Sequence, residues 1–376
     1  MVEIREVKTK KQIKEFINFP LDLYKGNEYF VPPLYGDEKS IFKKDFAYSD
    51  QTECIYYNAY KNDKIVGRIS GIIQLASNKK NNEKRVRFTR FDAINDQEVA
   101  DKLFSAVEKW AKVKGMDTIV GPLGFSDLER EGLLVEGFDQ ISTFEEQYNY
   151  DYYQTLIENY GFVKEVDWLE SKLYLPDDYK EKLERLDRLS SLMMKRYNLK
   201  FGVSKNTKEF IKQYAEQFFD ILDETYDKLY GTVPFTNKTR EMMISNFKLI
   251  VDVKNVAVIV DENDKVVCFG ICFPSLGKAV QKSKGHLTPL ALIRLLKAIK
   301  KPKVIDLGLI GVLPEYQNKG IASAIVAKVM KMLAYDGIEY AETNLNLEEN
   351  KNIQNQWKVF NAIQHKRRRA YVKTIL

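Results

Sequence analysis

The sequence reads as an α/β protein made of two similar domains in tandem. Its 376 residues exceed what a single hydrophobic core usually supports. One order of elements (strand, helix, hairpin, strand, helix, strand, helix, strand) runs along the chain twice. In the second copy an apolar strand feeds a glycine-bearing loop into an amphipathic helix, an arrangement that leaves backbone N–H groups unpaired and pointing one way.

The first copy opens with a strand at residues 4–7 and a helix through Ile13, Phe16, Ile17 and Leu21. Alternating runs at 55–60 and 65–73 flank Lys61-Asn62-Asp63-Lys64, a hairpin signature. Residues 86–91 alternate as another strand. A helix over 97–114 follows, with Val99, Leu103, Ala106, Val107, Trp110 and Ala111 on one face and Gly115 as its stop. A strand at 118–121, a long loop, a helix at 152–159 and a strand at 168–175 complete this half.

The second copy starts with a strand at 200–203 and a helix at 207–226, where Phe210, Tyr214, Phe218 and Leu222 are in phase. A helix at 239–249 has Thr236 or Asn237 as its cap. Residues 256–261 and 265–273 form a hairpin, 304–312 a strand, and 322–335 a helix stopping at Gly337. A strand at 340–345, a helix at 353–361 and a strand at 370–375 finish the chain. The expected division is a domain at 1–176, a charged linking helix within 177–198, and a second domain at 199–376.

Hydrophobic residues at 44% and charged residues at 30% are ordinary for a globular protein, and aromatics at 12% favour filled cores over disorder. A net charge of +6 suits an anionic ligand but does not mark a nucleic-acid binder. Three cysteines, Cys54, Cys268 and Cys272, offer neither a disulfide framework nor a zinc set, and the last two read as core. No metal is expected. No apolar run approaches the ~20 residues that span a bilayer, and the first residues lack the form of a signal peptide. The expectation is a cytoplasmic protein with no membrane partner.

The loop after the strand at 304–312 reads Leu313-Pro314-Glu315-Tyr316-Gln317-Asn318-Lys319-Gly320-Ile321-Ala322-Ser323. Its N–H groups from Gln317 to Ala322, with the dipole of the following helix, make an anion site, and Gly320 presents no Cβ to a pyrophosphate. The first copy has no glycine there and carries Asp92, Asp96 and Glu98, whose charge opposes phosphate binding. One phosphorylated cofactor per chain, held by the second half, is therefore expected.

Gln317-x-x-Gly320-x-Ala322 after Val312-x-Pro314-x-Tyr316 resembles the coenzyme A-binding motif of the GNAT acyltransferase superfamily. The whole chain is similar to large bacterial GNAT-type proteins through Gly121-Pro122-Leu123-Gly124-Phe125-Ser126, the run from Glu131 to Asp139, Tyr148-Asn149, Tyr152-Tyr153 and Tyr160-Gly161-Phe162. The resemblance implies that each half is a mixed, mostly antiparallel twisted sheet flanked by helices, splayed where the cofactor enters. It implies acetyl-CoA or another acyl-CoA as co-substrate and an amine-bearing small molecule or peptide as acceptor, attacking the thioester directly. The implied cofactor contacts are Leu309, Ile310, Gly311 and Val312 on the strand, Gln317, Asn318, Lys319, Gly320, Ile321, Ala322 and Ser323 in the loop, and Asn350. The backbone N–H of Ile310 or Val312 would polarise the thioester carbonyl. Asn350 has a competing role as helix cap. Phe360 falls in the region where many members carry a tyrosine acid, and it has no hydroxyl.

For the remaining chemistry, Glu342 is the candidate base, with a solvated strand carboxylate as the alternative. Glu136 and Asp139, in the acid-rich loop 121–153, are candidate acceptor contacts at the domain interface. His286 and His365 stand beside no nucleophile, which gives no hydrolase triad. The basic run Lys366-Arg367-Arg368-Arg369 reads as a solvated strand edge in preference to a phosphate contact. The leading function is an acyl-CoA-dependent N-acyltransferase. A non-catalytic acyl-CoA sensor is the alternative, separable by thiol release in the presence of amines. A tandem peptidyl transferase is disfavoured because it would not need an intact pyrophosphate loop.

Overall fold

The computed structural model describes residues 1–335 and 337–375, with backbone alone at 249–250. The first half contains β1 (Val2–Glu6), α1 (Lys10–Leu23), α2 (Tyr35–Ser40), β2 (Thr52–Lys61), β3 (Lys64–Gln74), α3 (Leu75–Asn81), β4 (Arg85–Ala93), α4 (Gln97–Val113), β5 (Thr118–Gly121), β6 (Leu133–Glu136), α5 (Tyr152–Asn159) and β7 (Val163–Tyr174). Helix α6 (Tyr179–Arg196) leads to β8 (Lys200–Phe201), α7 (Thr207–Tyr226), α8 (Asn237–Ile250), β9 (Val256–Val260), β10 (Val266–Pro274), α9 (Gly277–Lys282) and α10 (Pro289–Lys300). Then come β11 (Val304–Val312), α11 (Ser323–Leu333), β12 (Tyr340–Thr343), β13 (Asn346–Leu347), α12 (Lys351–Trp357) and β14 (Asn361–Thr374).

Side chains start most of the long helices where capping chemistry places them. Thr9 and Gln12 form a capping box on α1, and Asp96, Asn206 and Thr236 accept from the first turns of α4, α7 and α8. Helix α10 was not foreseen, although Thr288 caps it and Pro289 occupies its first turn. The loop expected between 121 and 152 contains β6, too short to show a period.

All strands join one mixed sheet, ordered β1-β2-β3-β4-β5-β14-β7-β12-β11-β10-β9-β8, with β6 on β14 and β13 on β7. Among the described residues only β4 with β5 and β11 with β12 run parallel. From β1 to β7 and from β8 to β14 the halves match strand for strand. Their last strands are exchanged at the centre: β14 pairs with β5 of the first half, and β7 pairs with β12 of the second. The halves therefore share one continuous ladder. One core lies between α4, α5 and the first-half strands, and a second between α7, α11 and β9–β11. Cys268 and Cys272 are buried in the second half, as their apolar surroundings suggested.

The C-terminal strand corrects two expectations. The sequence suggested a helix reaching 361 and a strand only from 370, whereas β14 begins at Asn361. It is also central, so its basic residues are not a solvated edge. Lys366 and Arg368 are 1% and 0% exposed, and Arg367 and Arg369 bond Asp167 on the other face.

Candidate functional site

The loop between β11 and α11 forms a nest of backbone donors. The N–H groups of Asn318, Lys319, Gly320, Ile321 and Ala322 find no acceptor among the described residues, whereas those of Ser323 and Ala324 bond back to Gly320 and Ile321. Asn318 has φ +58° and Gly320 has φ +75°, and this alternation of hand curls the peptide units around a common centre. Gln317 Nε2 donates to the Val312 carbonyl at 3.0 Å, tying the loop to the strand end. The need for glycine lies in that φ. A Cβ on Gly320 would meet Met193 and Leu189 of α6 at 3.4 and 3.6 Å, ordinary contact distances, so no protein atom forbids one.

Beside the nest the sheet opens. Parallel pairing of β11 with β12 stops at Leu307 with Thr343, so residues 308–312 have no strand partner on that side. On the other side β11 stays paired to β10, with a bulge opposite Gly270–Cys272. Antiparallel alternation, fixed by Leu313 N–H donating to the Val267 carbonyl, turns the peptide groups of Ile310 and Val312 to the open edge. The Tyr226 hydroxyl occupies one of them, donating to the Ile310 carbonyl at 3.1 Å.

The nest and the open edge line a cavity of about 1760 Å³ that continues across to the first half. Apolar side chains such as Phe46, Phe125, Met242, Met243 and Phe247 form much of its wall. Several carboxyl groups face it. Glu145 lines the cavity with its side chain exposed, while desolvation by the protein packed around it, reinforced by Glu146, pushes its carboxyl up to about 7. Burial raises Asp127 to about 6, and burial with Asp127 nearby raises Glu131 well above the carboxylate range. After burial and Glu342, Glu145 contributes to the upward push on Asp306 of β11. Arg130 donates to the carbonyls of Val31 and Phe144, and burial lowers its guanidinium to about 10.

Behind the cavity a buried ionic knot ties the exchanged strands. Lys366 Nζ lies 2.6 Å from Glu170, 2.7 Å from Glu342 and 2.9 Å from Glu146. Arg368 donates to Glu170 at 2.6 Å and to Glu146 at 3.2 Å. Glu342 also faces His365 Nε2 at 3.1 Å. Burial opposes its charge, but Lys366 and His365 outweigh that and hold it below the usual range. Glu170, Glu342 and His365 could group around an ion, yet the Lys366 ammonium already stands against both carboxylates.

The predicted residues separate accordingly. Leu309, Ile310, Gly311, Val312, Gln317, Asn318, Gly320, Ile321, Ala322, Ser323 and Asn350 all line the cavity. Lys319 lies over the rings of Tyr197 and Tyr316, and Asn350 also caps α12 by accepting from the Ile353 N–H at 3.3 Å. Glu342 is in the knot and outside the cavity wall. Glu136 pairs with Arg367 at 3.1 Å, and neither it nor Asp139 faces the cavity; their loop reaches it through Glu129, Glu131 and Glu145. In the first half, Asp92 is not at a helix start. It lies inside β4 on Arg68 and Tyr24, while Asp96 caps α4 and pairs with Lys61. Neither Tyr226 nor Glu145 carries a sequence signal of a role, because Tyr226 reaches β11 and Glu145 reaches the cavity only through the fold.

Residues 215–354 match the acetyltransferase (GNAT) family. The chain is 27% identical to Protein YghO of Escherichia coli over 99% of this chain and 95% of that protein. It is 26% identical to the bacterial ceramide synthase of Caulobacter vibrioides over 98% of this chain and 96% of that protein. A tandem GNAT protein from the clavulanic acid biosynthesis pathway has the same fold, with a TM-score of 0.54, 9% identity, and coverage of 100% of this chain and 99% of that one. The matched residues span the nest, the splayed strand and the helix after them, so this part of the chain carries an acetyltransferase (GNAT) family domain.

Proposed function

We propose that the protein transfers an acyl group from an acyl-CoA to the amine of a long-chain, lipid-like acceptor. One juxtaposition carries this reading: the free donors of 318–322 and the open edge of β11 share a cavity of about 1760 Å³ with the first half. The nest suits a pyrophosphate, and the strand edge suits the amide-bearing arm that leads to the thioester. Small-molecule sites usually occupy roughly 300–1000 Å³. Coenzyme A itself takes up part of this space; beside it, an acetyl group and a small amine would leave apolar room that a hydrocarbon chain would fill. The name of the Caulobacter relative points the same way, since a ceramide is an amide of a long-chain amino alcohol.

In this reaction the amine nitrogen attacks the thioester carbon, a C–N bond forms, and the C–S bond breaks. The N–H of Ile310 or Val312 on the open edge donates to the oxygen as it becomes negative. Glu145 accepts the proton the nitrogen sheds, and that proton completes the released thiol. A carboxyl near 7 is matched to such a transfer at neutral pH. Glu342 is poorly suited, because Lys366 already neutralises it.

A thiol-release screen tests the proposal with acetyl-CoA and longer acyl-CoAs against amines with and without a hydrocarbon chain. A long-chain amine should release thiol at least about tenfold faster than its short analogue, because each buried CH₂ favours binding by ~0.8 kcal/mol. Equal rates with short and long amines would contradict the lipid-like acceptor.

A further inference from the structure

We propose that α10 docks the protein on an anionic membrane surface. Residues 275–303, which link β10 to β11, contain eight Lys or Arg residues and no Asp or Glu, against a net charge of +6 for the whole chain. Everything outside this segment is therefore net acidic, and the chain's excess of positive charge sits on this one connection. Among the described residues only Lys303 of the eight is ion-paired, to Glu339. The corresponding connection in the first half is the short helix α3, whose last turn carries Lys79 and Lys80.

Within that segment α10 buries only Ala291. Its apolar residues divide into two sets. Leu292, Leu295, Leu296 and Ile299, with Leu287 just before the helix, line the cavity, so part of their exposure is to that space. Leu290 and Ile293 take no part in the cavity wall, yet are 55% and 63% exposed. Leu290 and Ile293 lie one turn apart with Arg294, Lys297 and Lys300 around them. A short helix with bulky aliphatic residues outside and a basic fringe lies naturally in the headgroup layer, its charges among phosphates and its Leu and Ile in the acyl boundary. Protein interfaces are depleted in lysine, so a fringe this rich in it favours lipid over a protein partner. No helix among the described residues is long and apolar enough to cross a membrane, so the contact is peripheral. It departs from the sequence expectation of no membrane partner. Docking places the inner face of α10, a wall of the cavity, at the bilayer surface, where a lipid-like acceptor would enter; this last step rests on the acyl-transfer reading, and docking itself does not.

Co-sedimentation of the full chain with phosphatidylcholine vesicles, with and without phosphatidylglycerol, tests the proposal. The wild type should pellet with the anionic vesicles alone, and added salt should weaken binding. The double variants Leu290→Ser with Ile293→Ser, and Lys297→Glu with Lys300→Glu, should each lower partitioning at least about tenfold. Coenzyme A binding, measured separately, should be unchanged in both, which reports that they fold and keeps the result independent of the acceptor. Failure of the wild type to pellet, pelleting equal in wild type and folded variants, or a wild-type dimer in sedimentation velocity that the Leu290/Ile293 variant abolishes would overturn it.

Discussion

Lys366 Nζ stands 2.6 Å from Glu170 Oε2, so a cation on the last strand of the second half meets a carboxylate on the last strand of the first. Glu146 and Glu342 press on the same ammonium. Removing it by Lys366→Met would leave buried carboxylates without their shared partner. The expected loss is about 3–5 kcal/mol, as for other buried ion pairs broken on one side. Urea denaturation of the full chain measures it. A loss below about 1 kcal/mol would mean that the knot does not hold the exchanged strands together.

Replacing Glu145 by Gln separates function from stability. As general base it should cost roughly a hundredfold or more in turnover, and the rise of kcat/KM with pH through about 7 should disappear. Stability should move the other way. A carboxyl raised in the folded state is harmless below its unfolded pKa and destabilises progressively as pH rises through its folded value. The variant should therefore melt higher than wild type at pH 8 and equally at pH 4. Full activity in the variant would remove Glu145 from the mechanism.

Glu136 and Asp139 should matter little to catalysis. Glu136 is on Arg367, more than half exposed, and neither residue faces the cavity. The Glu136→Ala, Asp139→Ala double variant should retain acceptor KM within about twofold, since exposed ion pairs contribute roughly 0–1 kcal/mol. A large rise in acceptor KM with coenzyme A affinity intact would restore the acceptor role that the sequence suggested for them.

What could be read from sequence was local. The strand at 304–312, the glycine of the following loop and the phase of the helix after it are adjacent in the chain, and each carries its own period or turn chemistry. The acid-rich start of α4 was also legible through Asp96, whereas Asp92 was misplaced because nothing nearby announces Arg68 or Tyr24 as its partners. The same reason explains the basic run on β14. Lys366 and Arg368 look like solvent-facing residues until Glu146, Glu170 and Glu342 arrive from three other parts of the chain. Strand exchange is a question of pairing between distant segments, and hydrophobic period does not encode it. Helix α10 is different: the Thr288-Pro289 start was present in the sequence.

Acyl transfer as proposed requires the nest at 318–322 to anchor coenzyme A, and calorimetric titration of the full chain tests that directly. Wild type should bind one coenzyme A per chain. At φ +75° a side chain on Gly320 is strained, and Gly320→Glu adds negative charge to the loop as well. Losing two charge-assisted N–H bonds, each worth roughly 1.5–3 kcal/mol, should weaken binding at least about a hundredfold. Two equivalent sites in the wild type, or an unchanged dissociation constant in a folded Gly320→Glu variant, would contradict the assignment.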